Sequence, residues 1–340
     1  MKTLTTFFRS RSAPAFGPQP HLHWIADWLL VAAIGFVLLV AQPSRAAGLC
    51  TIGIADYVCT ALSYPGSTST RATGINNATQ VTGYYQLTGT HAYTYSAGTL
   101  SAVADPAGSP PTYAFGINNA SQIAGYTVNG SGFSSGFLRT GSSYATINLS
   151  GATDTAAFGI DSAGNVVGYY DNATVTQAFL RSSSGVYSTF SVPGANATYA
   201  YGLNDSGTIA GTYTTAAGSV AGFTLSNGDF VTKSVSGATQ TFVRGINSWG
   251  DLVGSYVNGL GTHGFVWLAT GQFWSFDIVG ATQTFAQSMN DARQIAGYTR
   301  QSDGSYQGFV AMPTPIPLPA ALPLLLAGLL PILRRRARAA

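Results

Sequence analysis

Two segments in the second half of the chain have nearly the same sequence. GATQTFVRGIN begins at Gly237, and GATQTFAQSMN begins 43 residues later, at Gly280. The same register continues towards the N-terminus at intervals close to 43 residues. A period of this length is typical of folds in which each repeat is one supersecondary unit that packs on its neighbours. The sequence therefore predicts a repeat architecture.

Four signatures recur in a fixed order and define six copies of the repeat. A Gly-Ile-Asn triplet, or a variant of it, starts at Gly74, Gly116, Gly159, Gly202, Gly245 and Ser288. A second glycine follows nine residues later, at Gly83, Gly125, Gly168, Gly211, Gly254 and Gly297. An aromatic residue comes next, at Tyr93, Phe137, Phe179, Phe223, Phe265 and Phe309. A Gly-Ala-Thr triplet or a relative recurs at Gly66, Gly108, Gly151, Gly194, Gly237 and Gly280.

Each copy contains four short runs with the composition of β-strands, separated by turn residues. In the fifth copy the runs are TFVRGIN, DLVGSYV, HGFVWLA and QFWSFDIV. Only 8% of the residues are charged, there is no Glu, and Gly numbers 41, which favours strands and turns over surface helices. Four strands in about 43 residues fit one blade of a β-propeller. The predicted fold is all-β, a six-bladed β-propeller over residues 50–312.

Two other folds compete with the propeller. The rungs of a β-solenoid are usually shorter than this period, and the end caps that a solenoid needs are not evident in the sequence. A β-sandwich provides no reason for a fixed repeat.

The ends of the array predict how the ring closes. A run that resembles a fourth strand, Asp56–Pro65, precedes the first copy, whereas the sixth copy has only three runs before Pro313. Pairing the N-terminal run with the sheet of residues 283–312 would complete the last blade and leave no exposed sheet edge there.

Residues 1–46 have the organisation of a secretory signal peptide. A basic leader with Lys2, Arg9 and Arg11 precedes the apolar run Trp24–Val40, and small residues follow. We predict cleavage after Ala46. An uncleaved membrane anchor is the alternative, because the apolar run is close to spanning length.

The C-terminal segment divides into three parts. A Pro-rich spacer occupies residues 313–319, a hydrophobic helix is predicted at 320–333, and a basic tail occupies 334–340, including Arg334, Arg335 and Arg336. Arginines beside an apolar segment orient it with the basic end in the cytoplasm. The segment is short for a permanent span of about 20 residues. It is predicted to be either a poor anchor or a sorting tail that is held in the membrane temporarily and then cut.

The charge distribution agrees with membrane topology rather than nucleic-acid binding. The chain carries a net charge of +3, but residues 47–319 contain seven basic residues against eleven aspartates, a net charge of about −4. The positive excess therefore lies at the two ends. Cys50 and Cys59 are the only cysteines, and an even number in an exported chain predicts a disulfide rather than a metal site.

The C-terminal segment resembles the PEP-CTERM sorting signal of Gram-negative bacteria. The three elements of that signal are matched by Pro317-Leu318-Pro319, by the apolar stretch 320–333 and by the cluster Arg334–Arg336. Leu318 departs from the family, which most often has Glu at that position. The resemblance implies transient insertion in the inner membrane and cleavage by an exosortase-type protease.

The repeats resemble HAF-type extracellular repeats, which are bacterial units built around G-I-N, V-x-G and H-A-F. The last element is matched by His91-Ala92-Tyr93, Gln177-Ala178-Phe179 and His263-Gly264-Phe265. The likeness covers residues 59–312. It implies an exported repeat protein and supplies no activity.

Few residues in the repeats have the pattern of a catalytic or metal site. His91 and His263 open the third run in two copies and have no Cys or Glu companion, so a structural role is predicted over metal binding or general base catalysis. The Asn/Asp-rich segments after each G-I-N are predicted to be turns rather than calcium loops, because they lack carboxylates at alternate positions. No metal and no cofactor is predicted.

The aspartates do not form an evident catalytic pair. Glycoside hydrolysis needs two carboxylates that flank the scissile bond. Three aspartates lie in the repeated turns, two lie at nearly equivalent places in fourth strands, and the others are scattered: Asp161, Asp205 and Asp291; Asp105 and Asp277; Asp154, Asp171, Asp229, Asp251 and Asp303. Arg139 and Arg181 follow the third strands of neighbouring copies, where they either bind an anion or end the strands in solvent.

Aromatic residues after the second glycine are predicted to pack between blades. These positions include Tyr84, Tyr85, Tyr126, Tyr169, Tyr170, Tyr213, Tyr256 and Tyr298. Alternation along a strand allows one member of each Tyr pair to face outward and stack on a sugar. The sequence thus predicts an exported, non-enzymatic cell-surface or matrix protein that is associated with exopolysaccharide and has no nucleic-acid partner. The alternative is a glycan-active hydrolase or lyase that uses Asp residues.

Overall fold

The computed structural model describes residues 48–52, 55–106, 111–172 and 174–314, and these residues form an all-β protein. Twenty-five β-strands are present in these ranges, with no α-helix. In this part of the chain no helix is long and apolar enough to span a membrane. The predicted signal peptide, the hydrophobic helix 320–333 and the basic tail lie outside the described residues.

The strands follow the copies of the repeat. Two strands, β1 (Gly48–Ile52) and β2 (Ala55–Leu62), precede the first copy. The first three copies contain β3 (Ser69–Ile75), β4 (Val81–Gln86), β5 (Thr90–Ser96) and β6 (Thr99–Ala102); β7 (Thr112–Ile117), β8 (Ile123–Val128), β9 (Ser134–Thr140) and β10 (Ser143–Ile147); and β11 (Asp154–Ile160), β12 (Val166–Asp171), β13 (Thr176–Arg181) and β14 (Tyr187–Phe190). The last three contain β15 (Ala197–Leu203), β16 (Ile209–Thr214), β17 (Val220–Ser226) and β18 (Asp229–Lys233); β19 (Gln240–Ile246), β20 (Leu252–Asn258), β21 (Gly261–Trp267) and β22 (Phe273–Phe276); and β23 (Gln283–Met289), β24 (Ile295–Arg300) and β25 (Tyr306–Pro313).

Consecutive strands of each copy pair antiparallel. The first and second copies form separate four-stranded sheets. The third to fifth copies are joined in one twelve-stranded sheet through single parallel bridges, Thr176 with Ala197 and Val220 with Gln240. The sixth copy has three strands of its own, and β2 pairs antiparallel with β25, with Leu62 opposite Gly308. Strand β1, which the sequence did not predict, pairs with β2 at the edge of this sheet.

A β-bulge interrupts the first strand of every copy. The register between the first and second strands shifts by one residue just before, or within, the G-I-N motif, as between Ala72 and Gly74 in the first copy and between Val243 and Gly245 in the fifth. A bulge places one extra residue in the strand and changes the direction of a side chain. The extra residue belongs to the set Thr73, Phe115, Phe158, Tyr201, Arg244 and Gln287.

The two repeated glycines are required by close packing. A Cβ at Gly74 or Gly116 would collide with the backbone of the next copy, at Phe115 and Phe158 respectively. A Cβ at the second glycine, such as Gly168, would collide with the first strand of its own copy and with the ring of Phe179 in the third strand. The aromatic residue of the motif therefore packs directly over a glycine.

The hydrophobic core lies between successive copies rather than within one sheet. Each cluster combines residues from two neighbouring copies, for example Ala92 and Val103 with Ala114 and Phe137. The sixth and first copies share such a cluster in the same way, in which Leu62 and Val310 pack together. Complete burial of an aliphatic or aromatic side chain of this size contributes about 1.5–3 kcal/mol.

Asparagine amides link the ends of the first strands. The side-chain amide of Asn76 donates to the backbone oxygen of Asn118 at 2.9 Å, and that of Asn290 donates to the backbone oxygen of Asn76 at 2.9 Å. The same bond runs from Asn118 to Asp161, from Asn204 to Asn247 and from Asn247 to Asn290. The first strands of the first and sixth copies are thus bonded as sequential neighbours are.

Candidate functional site

An axial cavity lies between the first strands of all six copies. Its volume is about 110 Å³, enough for several water molecules. Each copy contributes its bulge residue and the residue two positions later: Thr73 and Ile75, Phe115 and Ile117, Phe158 and Ile160, Tyr201 and Leu203, Arg244 and Ile246, Gln287 and Met289. The bulges therefore direct side chains that differ among the copies into this cavity.

Large polar side chains from the six copies lie close together around the same first strands. We call Tyr84, Tyr126, Tyr169, Tyr201, Arg244 and Tyr298 the axial ring. Four of them follow the second glycine, on the second strand. In the fourth and fifth copies that position holds the smaller Thr212 and Ser255, and the bulge residues Tyr201 and Arg244 supply the large side chain instead.

Four phenol groups of the axial ring, those of Tyr84, Tyr126, Tyr169 and Tyr298, remain protonated at neutral pH. Burial raises the pKa of Tyr84, Tyr126 and Tyr169 well above the ordinary value of 10.0, and neighbouring phenols of the ring raise it further. Burial also raises the pKa of Tyr298, against the opposing effect of Arg244 and Arg71. These four hydroxyls are therefore available as hydrogen-bond donors.

Two arginines accompany the ring, and neither has a carboxylate partner among the described residues. The guanidinium of Arg244 lies 4.0 Å from the centroid of the Tyr201 ring. That of Arg71 lies 3.8 Å from the centroid of Tyr306, and its Nη1 donates to the hydroxyl of Tyr84 at 3.3 Å. Burial lowers the pKa of Arg71 and the adjacent phenols raise it, with a net rise, so this side chain stays cationic.

The acidic groups closest to the ring belong to the third copy. Asp154 and Asp171 are opposite each other on β11 and β12, and both raise the pKa of Tyr169. Asp154 Oδ1 accepts from the backbone N–H of Ser134 at 2.7 Å, and Asp171 Oδ1 accepts from the hydroxyl of Thr176. Both carboxylates are therefore bonded to neighbouring residues, although the sequence pattern had placed them among scattered loops.

The other end of the axial cavity is formed by the repeated turns. A smaller space of about 80 Å³ is lined there by the asparagines and the residues that follow them, including Asn77, Ser162, Asp205 and Asp291. Asp205 accepts two hydrogen bonds from Ser162 of the preceding copy, and Asp291 accepts two from Ser248. The described residues contain no group of three potential metal ligands. The carboxylates in these turns connect the copies.

The two histidines form matched pairs with aspartates that lie just beyond the fourth strand, not within it as the sequence predicted. His91 Nδ1 is 3.0 Å from Asp105 Oδ2, and His263 Nδ1 is 2.8 Å from Asp277 Oδ2. A tyrosine ring lies beside each imidazole, Tyr85 or Tyr256. The sequence held a signal for this pairing, because the first and fifth copies alone have both the His and the Asp.

Other predicted residues lie away from the axial cavity or outside the described part. Arg139 and Arg181 end the third strands of the second and third copies, and Arg181 donates to the backbone oxygen of Ser182. Cys59 is disulfide-bonded; the side chain of Cys50 lies outside the described set, so its pairing with Cys59 stays a prediction. The sorting motif Pro317, Leu318 and Pro319, the cluster Arg334, Arg335 and Arg336, and the cleavage site at Ala46 also lie outside.

The sequence pattern did not single out Arg71 and Arg244. Both stand where other copies have aromatic or smaller residues: Tyr113, Ala156, Tyr199, Phe242 and Phe285 for Arg71, and Thr73, Phe115, Phe158, Tyr201 and Gln287 for Arg244. Comparison of equivalent positions among the copies would have identified both arginines from the sequence.

No protein-family model and no curated protein matches the sequence. Among solved structures, the chain is similar to the Aleuria aurantia lectin, which is described as having a six-bladed β-propeller fold and a novel mode of fucose recognition. The two share 16% sequence identity over 74% of this chain and 97% of that chain, with a TM-score of 0.46. It is also similar to TolB from Acinetobacter baumannii, with 10% identity, 72% and 64% coverage and a TM-score of 0.49. A gluconolactonase from Xanthomonas campestris matches with 10% identity, 80% and 99% coverage and a TM-score of 0.49. Similarity of this degree carries no argument about function.

Proposed function

We propose that the six copies of the repeat are the blades of a six-bladed β-propeller, closed where β2 completes the blade of the sixth copy. The support is that the last and first copies contact each other as sequential copies do. The sixth and first copies share a hydrophobic cluster, and the amide of Asn290 bonds to Asn76 as that of Asn76 bonds to Asn118. A closed ring also accounts for a cavity to which all six copies contribute.

We propose that this propeller is a non-enzymatic polysaccharide-binding protein of the cell surface or extracellular matrix. The observation that carries the proposal is the axial ring, in which tyrosines and an arginine from all six copies lie close together, with Tyr201 and Arg244 lining the cavity. Aromatic rings provide stacking surfaces for sugars, and phenol and guanidinium groups donate to sugar oxygens. The binding site would then lie at the axis.

The hydrolase or lyase alternative has less support. Hydrolysis needs two carboxylates on either side of the scissile bond, with one held protonated. Asp154 and Asp171 are the aspartates beside the ring, and they lie on one copy with their oxygens accepting bonds from Ser134 and Thr176. The arrangement supports a role in holding the ends of β11 and β12.

Incubation with a panel of neutral and acidic polysaccharides distinguishes a binding protein from an enzyme. Saturable binding by the purified mature protein, with no increase in reducing ends or in unsaturated products, is the expected result. Release of either product, abolished in the Asp154→Asn variant, would establish the enzyme instead.

We further propose that the protein is exported and sorted by an exosortase-type system in association with exopolysaccharide. The support is the sequence of both ends, and a disulfide at Cys59 is the form expected in an oxidising compartment. The C-terminal peptide of the mature protein, identified by mass spectrometry in membrane and extracellular fractions, is expected to end near Pro319. An intact Ala340 found only in membranes would make the tail an anchor.

A further inference from the structure

We propose that the axial ring recognises an acidic saccharide, whose carboxylate or sulfate group is held by Arg71, Arg244 and the tyrosine hydroxyls between them. This inference rests on the proposed polysaccharide-binding function and names the chemical class of the ligand. The two arginines belong to the first and fifth copies, which both adjoin the sixth. Tyr298 of the sixth copy is influenced by both guanidinium groups.

The two arginines add only hydrogen-bond donors to a site whose phenols both donate and accept. A guanidinium has five N–H donors and no acceptor. Arg244 donates no hydrogen bond within the described residues, and the Nε of Arg71 is buried without a partner. The ion pairs of the described residues lie elsewhere, at His91, His263 and Arg293. An anion supplies the acceptors that these donors lack.

The fold does not need arginine at either position. The other copies build the same first strand with aromatic, small or neutral polar residues, such as Tyr113 in place of Arg71 and Gln287 in place of Arg244. Partial burial of a cation without a counter-ion costs free energy. Arg244 lines the cavity and Arg71 lies against the ring of Tyr298, and a ligand that neutralises both cations explains their presence.

The size of the cavity sets which part of the ligand enters it. A space of about 110 Å³ admits a small charged group and its water more readily than a whole polymer. The rings of Tyr84 and Tyr298, which are half-buried, border Arg71 at 5.3 and 5.4 Å. The acidic group would therefore enter beside Arg244 and Tyr201, which line the cavity, while the rest of the sugar lies towards Arg71 and its tyrosines.

Charge around the ring is distributed unevenly. The cationic side centres on the sixth copy, and the carboxylates Asp154 and Asp171 belong to the third, three copies away in either direction. An acidic group is attracted to one side and repelled from the other, which fixes its orientation.

The experiment compares matched acidic and neutral polymers. Surface plasmon resonance measures binding of the purified mature protein to polygalacturonate and to its carboxyl-reduced form, and to dextran sulfate and dextran. The variants Arg71→Tyr and Arg244→Gln introduce residues that equivalent positions already hold, so both are expected to fold. Lys233→Gln is the control, because it removes the same charge from an outer strand, where the ammonium lies 5.5 Å from the Trp267 ring.

The acidic polymer is expected to bind at least 10-fold more tightly than its neutral counterpart. Each arginine variant should lose about 10-fold in affinity, since each removes charge-assisted hydrogen bonds, whereas the control stays within about twofold. A response to polygalacturonate or to dextran sulfate identifies the carboxylate or the sulfate as the preferred anion.

Three results would overturn the inference. Equal binding of acidic and neutral polymers would leave the proposed polysaccharide binding intact but remove the acidic ligand. Equal losses in all three variants would show attraction by overall charge rather than a site. Binding of none of the polymers would contradict both the inference and the proposed function.

Discussion

Single residues that differ between copies carry the functional information in this chain. Arg71 and Arg244 interrupt positions that the other copies fill with uncharged side chains, and their guanidinium groups lie beside the rings of Tyr84 and Tyr201. In a repeat protein the positions common to all copies build the fold, since every copy must pack on its neighbours. Departures from the repeat are therefore the first places to look for a binding site.

Tyr93 stands where the other copies have Phe, and its hydroxyl lowers the stability of the protein. Its ring is completely buried over Gly83, where the other copies have Phe, and its hydroxyl has no hydrogen-bond partner in the described structure. A buried unsatisfied hydroxyl costs about 1–3 kcal/mol. Tyr93→Phe should raise the free energy of unfolding by about 1 kcal/mol in urea denaturation. The reverse change in the third copy, Phe179→Tyr, should lower it, and a destabilised Tyr93→Phe protein would contradict this packing.

The axial tyrosines predict how stability depends on alkaline pH. Burial raises the pKa of Tyr84, Tyr126 and Tyr169 in the folded protein, whereas in the unfolded chain each ionises near 10.0. The stability from these neutral phenols is fully present below pH 10 and is lost as the pH rises towards the folded pKa, because ionisation then favours the unfolded chain.

Melting curves between pH 8 and 11.5 check this prediction. The Tm should be level up to about pH 10 and fall above it, and the fall should be shallower in Tyr126→Phe, which has one fewer buried phenol. Parallel curves for the wild type and the variant would show that Tyr126 is not buried as described.

The sequence predicted these aromatic residues only in part. Tyrosines after the second glycine were recognised, but strand alternation alone did not show which member of a pair turns to the axis. The structure places Tyr84 among the axial residues, while Tyr85 stacks on Tyr64 with ring centroids 3.7 Å apart. Contacts between residues of different copies decide the direction, and they are not visible in one copy.

At the scale of elements, the bulge in each first strand links fold and site. The sequence predicted the strand and the turn after it, and both are present in the fifth copy as β19 and the turn at Asn247. It did not predict the bulge, because an extra residue before G-I-N leaves no mark on the motif. The bulge directs Tyr201 and Arg244 into the cavity, so the binding residues could not be derived from the motif alone.

The asparagine bonds between first strands are incomplete at one point. Asp161 stands where the other copies have Asn, and a carboxylate cannot donate to the backbone oxygen of Asn204. Asp161 Oδ2 instead accepts from the side chain of Asn165 at 2.7 Å. In the second copy the same two positions hold Asn118 and Gln122, and the amide of Asn118 donates both to the Gln122 side chain and to the next copy.

The double variant Asp161→Asn/Asn165→Gln should restore the missing bond. It reproduces the pair found in the second copy, and one additional hydrogen bond contributes about 1 kcal/mol, so the urea midpoint should rise. The single variant Asp161→Asn should gain little, because its new amide would face the Asn165 amide. Equal stability of all three proteins would show that this bond does not connect the third and fourth copies.

At the scale of the whole molecule, the account depends on contact between the first and last copies. Strand β2 pairs with β25, and Leu62, completely buried, packs in the cluster shared by the sixth and first copies. The sequence predicted this pairing from the missing fourth strand of the sixth copy. It did not predict β1, since residues 48–52 belong to no repeat and carry no alternation that separates them from the preceding leader.

Removal of the N-terminal strand should open the ring. Deletion of residues 50–66 exposes β25 and the cluster around Val310, so the Tm should fall sharply. The milder variant Leu62→Ala should lose about 2–5 kcal/mol of unfolding free energy. Leu260→Ala, at a position that is 90% exposed, is the matched control and should change little. An unchanged melt after the deletion would exclude the closure.

A crystal structure of the mature protein soaked with digalacturonate tests the central claim most directly. The account predicts six sheets in a closed ring, with one carboxylate of the sugar within hydrogen-bonding distance of Arg244 and of the hydroxyls of the axial ring. An open arrangement of sheets, or a sugar bound on the outer strands with the axial ring empty, would contradict it.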